Sequence, residues 1–122
     1  MIKIKRAALE FMLEMARRMY PKEFIGLLRE NKNKEIYEVM LLPRSTYGKG
    51  FSSFDSYMVP YSMKYAGSVH SHPAPIIKPS AGDLLSFSKT GGVHIILAYP
   101  FTEKSIGVYN NRGEKLEFEV VE

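Results

Sequence analysis

Val93-His94-Ile95-Ile96-Leu97-Ala98-Tyr99, a run apolar throughout except at His94, decides the fold. A strand with one wet face alternates apolar and polar residues; a run without alternation predicts a central strand covered on both faces, and hence a layered α/β protein. Gly91-Gly92, just before it, stops a helix that opens at Ser80-Ala81-Gly82-Asp83 and extends to about Lys89. Further upstream, Ala66 to His70 reads as a strand leading into a loop stiffened by Pro73, Pro75 and Pro79. Downstream, Ser105 to Tyr109 and Lys115 to Val121 read as two strands joined by the turn Asn110-Asn111-Arg112-Gly113.

The N-terminal half supplies the rest of the layers. From Arg6 to Tyr20 the residues Ala8, Leu9, Met12, Met15, Ala16 and Met19 recur at three and four, the spacing of an amphipathic helix, which Pro21 closes. Phe24 to Leu28 and Ile36 to Leu42 read as a hairpin turned at Glu30 to Lys34. Pro43 to Gly50 reads as a loop, Phe51 to Met58 as a short strand, and Tyr61 to Tyr65 as a short helical segment. This order predicts a mixed-sheet sandwich flanked by helices, with residues 1–122 as a single domain.

Composition narrows the chemistry. The 122 residues are 45% hydrophobic and 25% charged, an ordinary globular balance that suggests neither disorder nor a membrane protein. With no cysteine, disulfides, thiolate metal sites and a cysteine nucleophile are excluded, leaving His, Asp and Glu as the strong metal ligands. The net charge of +4 comes from 17 basic residues interleaved with 13 acidic ones, a pattern that argues against nucleic-acid binding and suits an acidic protein partner. The opening Met1-Ile2-Lys3-Ile4-Lys5-Arg6, followed by an apolar stretch broken by Glu10 and Glu14, is wrong for a signal-peptide core, so a cytoplasmic location is expected. Lys and Glu are plentiful and Cys, Trp and Gln absent, a thermophile-like balance.

His70-Ser71-His72 ends a strand, and residues two apart on a strand share a face, so both imidazoles address one point in space. Ten residues separate His72 from Asp83, which sits in the first turn of the next helix, where one loop returns its carboxylate to the same point. Three protein ligands leave a fourth position for water. Taken singly, Ser80 and Asp83 also read as a helix N-cap and its N3 partner, and the two roles can coexist. His94 shares a face with Ile96 and Ala98 and is expected to be structural, while Ser71 and Pro73 are expected to shape the loop.

The combination of Glu23, His70-Ser71-His72, Ser80 and Asp83 resembles the signature of the JAMM, or MPN+, metalloprotease domain: an upstream Glu, then His-x-His, ten residues and Asp, with Ser three before the Asp. Pro21-Lys22-Glu23-Phe24-Ile25-Gly26-Leu27-Leu28 is similar to the segment that carries the family's catalytic Glu. The resemblance spans nearly the whole chain and is nearest to small archaeal single-domain members that act on ubiquitin-like modifiers. It implies a cytidine-deaminase-like JAMM/MPN fold, one zinc ion per chain on His70, His72 and Asp83, Glu23 as general base, and Ser80 stabilising the developing oxyanion. The activity it implies is that of an isopeptidase releasing ubiquitin-like modifier proteins after a C-terminal diglycine tail. Trimming of a sulfur-carrier protein is the alternative enzyme reading, and a metal-free MPN-type scaffold is the alternative from another class, against which the complete ligand set argues. Deamination is excluded, since its signature needs zinc-binding cysteines. The segment Tyr47 to Met58, with Phe54 and Met58, is the expected substrate edge, and the short interval Leu84 to Gly92 implies broad substrate choice. The chain is expected to act as a monomer or homodimer.

Overall fold

A computed structural model describes residues 1–42, 65–88 and 91–122. In chain order the elements are β1 (Ile2–Lys5), α1 (Arg6–Met19), β2 (Ile25–Glu30), β3 (Glu35–Leu41), β4 (Gly67–His72), α2 (Ala81–Phe87), β5 (Val93–Ala98), β6 (Ile106–Tyr109) and β7 (Phe118–Val121). The strands form one sheet in the order β6-β5-β4-β2-β3-β1-β7. It is mixed, as expected: β4 is parallel to β5, and β1 to both β3 and β7, while the β2–β3, β2–β4 and β5–β6 pairs are antiparallel.

The two faces of the sheet are covered by different helices. Helix α1 turns Ala8, Leu9, Met12, Leu13 and Ala16 onto Ile4, Leu28, Ile36, Val69, Ile95 and Leu97, forming the main core. Burying each such Leu or Met is worth about 1.5–3 kcal/mol, which is what fixes α1 to the sheet. On the opposite face Phe87 of α2 packs with Ile96 and Tyr109. Alternate residues of β5 therefore point into two separate cores, which is why its sequence lacks a polar face, although β5 lies second from the sheet's edge rather than at its centre.

Strands β4 and β5 approach so closely at their start that a Cβ on Gly67 would lie 1.5 Å from the Val93 carbonyl oxygen. Only glycine fits there. Gly91, at φ 102°, turns the chain after α2, and the amides of Gly92 and Val93 both donate to the Ala66 carbonyl, setting the register of the pair.

Two expectations are corrected. Ile2–Lys5, not anticipated as a strand, is β1, with Ile4 fully buried and Lys3 exposed. The last two strands are not a hairpin: they lie at opposite edges of the sheet. After the turn, the segment meets β6 through a bridge, Tyr109 to Lys115, and a bond from Leu116 N–H to Val108 O. It then crosses to β1, where Phe118 and Val120 add to the main core. Residues 115–121 thus border both edges of the sheet. The expected loop after Pro43, the strand Phe51 to Met58 with Phe54 and Met58, and the segment leading to Tyr65 lie outside the described residues. Among the described residues, no helix is long and apolar enough to cross a membrane.

Candidate metal centre

Strand β4 sorts its side chains by parity. Val69 enters the main core on the α1 side, whereas Ser68, His70 and His72 face α2. His70 pairs with Ile25 on one side and Ile96 on the other, deep in the sheet, and is 2% exposed. His72, one step nearer the strand's end, is half-buried.

Asp83 reaches these imidazoles because α2 is capped as anticipated. Its amide donates to Ser80 Oγ at 3.1 Å, and the Ser80 amide donates to Asp83 Oδ2 at 2.8 Å, a complete capping box. The cap therefore aims the carboxylate: Oδ1 lies 2.9 Å from His70 Nε2, Oδ2 lies 3.2 Å from His72 Nε2, and the two nitrogens are 3.1 Å apart. Ligand atoms on a tetrahedral zinc, with bonds of about 2.0–2.1 Å, stand roughly 3.3 Å from one another. The spacing and the donor types of this group therefore fit zinc.

Neighbouring groups prepare the ligands. His72 Nδ1–H donates to the Ile76 carbonyl at 2.7 Å, which leaves the Nε2 lone pair facing the centre. Burial disfavours the His72 imidazolium, but hydrogen bonds to Asp83 and Ile76 outweigh it and raise the pKa above the usual value. Burial likewise opposes the Asp83 carboxylate, yet the bonds to His70 and His72 hold its pKa well below the ordinary carboxylate range. The residues between β4 and α2 are fastened from outside as well, where Tyr109 O–H donates to the Ile77 carbonyl at 2.6 Å.

Beneath α2 lies a second histidine environment. His94 is fully buried, stacks on Phe87 at 4.1 Å, shares a hydrogen bond with Ser68 Oγ at 2.7 Å, and donates through Nε2 to Asn111 Oδ1 at 2.8 Å. It supports the floor of the site and is no part of the ligand group, as its parity had predicted. Tyr109, Asn111 and the Ile76 carbonyl escaped sequence reading because each acts through a fold contact and no local pattern marks them.

Glu23 is exposed and immediately precedes the buried Phe24. It lines a cavity of about 370 Å³ together with His72, Pro73, Ala74, Ile76, Lys78, Pro79 and Ser80, and its negative charge contributes to the raised His72 pKa. The distant Glu23 and the ligand loop therefore meet at one opening. Ser80 spends a lone pair on the cap, which leaves its own hydroxyl hydrogen to donate.

A single mixed sheet covered by a helix on each face and carrying a His-His-Asp group at one end defines a metalloprotease-like zinc domain. Residues 5–109 match the family described as prokaryotic homologs of the JAB domain, and the chain belongs to this JAMM/MPN+ family. A probable metalloprotease of Haloferax volcanii is 28% identical over 94% of this chain and 76% of its own length. A JAB1/MPN domain protein from Archaeoglobus fulgidus is 40% identical with a TM-score of 0.80, covering 99% of this chain and 100% of its own. A structure described as a JAMM metalloprotease-like zinc site in the proteasome and signalosome is 38% identical with a TM-score of 0.79, covering 100% of this chain and 99% of its own.

Proposed function

We propose that the chain is a zinc-dependent isopeptidase that releases ubiquitin-like modifier proteins from lysine side chains after a C-terminal diglycine tail. The observation that carries this reading is the shared opening: Glu23, two residues before β2, lines the same cavity as the ligand His72 and the hydroxyl-bearing Ser80. His70, His72 and Asp83 would hold the zinc. Zinc bound there supplies Lewis acidity, lowering the pKa of water toward neutrality and polarising a carbonyl.

The remaining work falls to the protein's own groups. The Glu23 carboxylate accepts a proton from the attacking water as its oxygen joins the carbonyl carbon. Ser80 O–H donates to the carbonyl oxygen as charge grows on it. When the carbon–nitrogen bond breaks, Glu23 returns the proton to the departing amine, giving a free modifier carboxylate and a free lysine. The cavity walls of Pro73, Ala74, Ile76 and Pro79 exclude water from one side of the reacting group. Phe54 and Met58 are proposed as contacts to the modifier's tail, and a charged residue at either should weaken modifier binding without changing zinc content.

The test is to incubate the purified protein with a lysine-linked modifier conjugate and, separately, with a modifier carrying a C-terminal extension, with and without chelator. Release from lysine that chelator abolishes and zinc restores is expected. Glu23→Gln should retain zinc and lose at least about 100-fold in turnover, the usual contribution of a general base. Trimming of the extension without release from lysine would replace this reading with a sulfur-carrier peptidase, and near-normal turnover by Glu23→Gln would remove the base assignment.

A further inference from the structure

We propose that Ser71, the residue between the two histidines, is a positioning residue for Glu23: its buried hydroxyl clamps the backbone beside Glu23 onto the strand that carries His70 and His72. This rests on the reading of Glu23 as the base.

Ser71 is 1% exposed and alternates with the histidines, so its side chain points to the face of β4 opposite theirs. A hydroxyl there needs a partner. It finds one in Phe24, whose amide donates to Ser71 Oγ at 2.9 Å, while the Ser71 amide donates to the Phe24 carbonyl at 3.1 Å. In a regular antiparallel pair both bonds run between main chains. Here strand β2 begins at Ile25, opposite His70, and at the next pair outward the serine hydroxyl takes the Phe24 amide.

The hydroxyl therefore extends the β2–β4 attachment by one residue, to the position adjoining Glu23. Phe24 is itself held, 1% exposed within the main core. Glu23 is exposed, and among the described residues none hydrogen-bonds its carboxylate, so its placement there depends on its backbone. One strand thus carries two ligands on one face and, through the intervening residue, secures the base from the other. A one-residue spacing between the histidines serves both ends: it gives them a common face and leaves a single inward position for the clamp.

The test uses Ser71→Ala and the volume-matched pair Ser71→Thr and Ser71→Val in the zinc-loaded full chain. Zinc content, amide exchange at Phe24 and Ile95, and steady-state turnover of the modifier conjugate are measured. Ala and Val should keep one zinc, raise exchange at Phe24 at least tenfold relative to Ile95, and lower kcat by roughly 30-fold with KM within about twofold. Thr should restore both exchange protection and kcat.

In a Glu23→Gln background, adding Ser71→Val should cost no more than about threefold, because the two residues act through one step. Parent kcat in Val, or an equal loss in both backgrounds, would overturn the proposal. Unchanged Phe24 exchange in Val would refute the clamp itself. Near-parent turnover in Glu23→Gln alone would instead refute the base reading, an outcome distinguishable because Phe24 exchange does not depend on turnover.

Discussion

Asp83→Ala should separate the two tasks that Asp83 performs. In the chelated protein the change removes the acceptor for the Ser80 amide and the carboxylate partner of both imidazoles. Losing the cap bond costs about 1 kcal/mol and losing the charged contacts about as much again, for a total near 2 kcal/mol. A zinc concentration 1,000 times Kd adds about 4 kcal/mol to the folded parent and almost nothing to a variant lacking the third ligand. For a chain of this length, roughly 4 °C of Tm accompanies each kcal/mol. The parent should therefore exceed Asp83→Ala by about 8 °C with chelator and by about 24 °C with zinc. Thermal unfolding of both proteins in both conditions reads these gaps directly. A gap unaffected by zinc would refute the ligand assignment, and equal melting with chelator would refute the capping account.

Ser80→Ala should lose about 1 kcal/mol of stability, seen in urea unfolding, and lower kcat by roughly 100-fold with zinc retained. Ser80→Thr, which keeps the hydroxyl, should recover most of both. Gly67→Ala should destabilise by more than about 4 kcal/mol because its Cβ collides with the Val93 main chain, so a soluble variant with parent-like urea midpoint would contradict the described β4–β5 approach. Burial lowers the His94 pKa in the folded chain, so the unfolded chain binds more protons as pH falls through about 6.5; the stabilisation from neutral His94 is complete above that pH and is lost progressively below it. In chelated protein the fall in stability between pH 7.5 and 5 should be smaller in His94→Phe than in the parent, and an identical fall would dissociate His94 from the acid response.

Much of the site was legible because its geometry is local. The shared face of His70 and His72 follows from strand parity, and the Ser80–Asp83 box from its three-residue spacing, before any packing is known. Helix α1 was equally plain, since its apolar residues keep one period over fourteen positions. Strand β1 escaped because Ile2–Lys5 is short and runs directly into α1, and its partners lie about thirty and over a hundred residues away. The false hairpin has the opposite origin: the turn at Asn110 to Gly113 is genuine, but it pairs its flanks only as far as the bridge at Lys115, beyond which Phe118 and Val120 join the core beside β1. Ser71 was expected to shape the loop because a serine in a strand acquires meaning only from the strand opposite. Glu23 needed the family signature, since an exposed Glu before a strand looks like any other surface carboxylate.

The segment 115–121, which touches β6 and then β1, has a mechanical consequence. A sheet ordinarily frays from whichever margin is loosest, one strand at a time. Here both margins share a single fastening, so peeling one unseats the other, and the outermost strands should open as one cooperative unit with matched exchange rates.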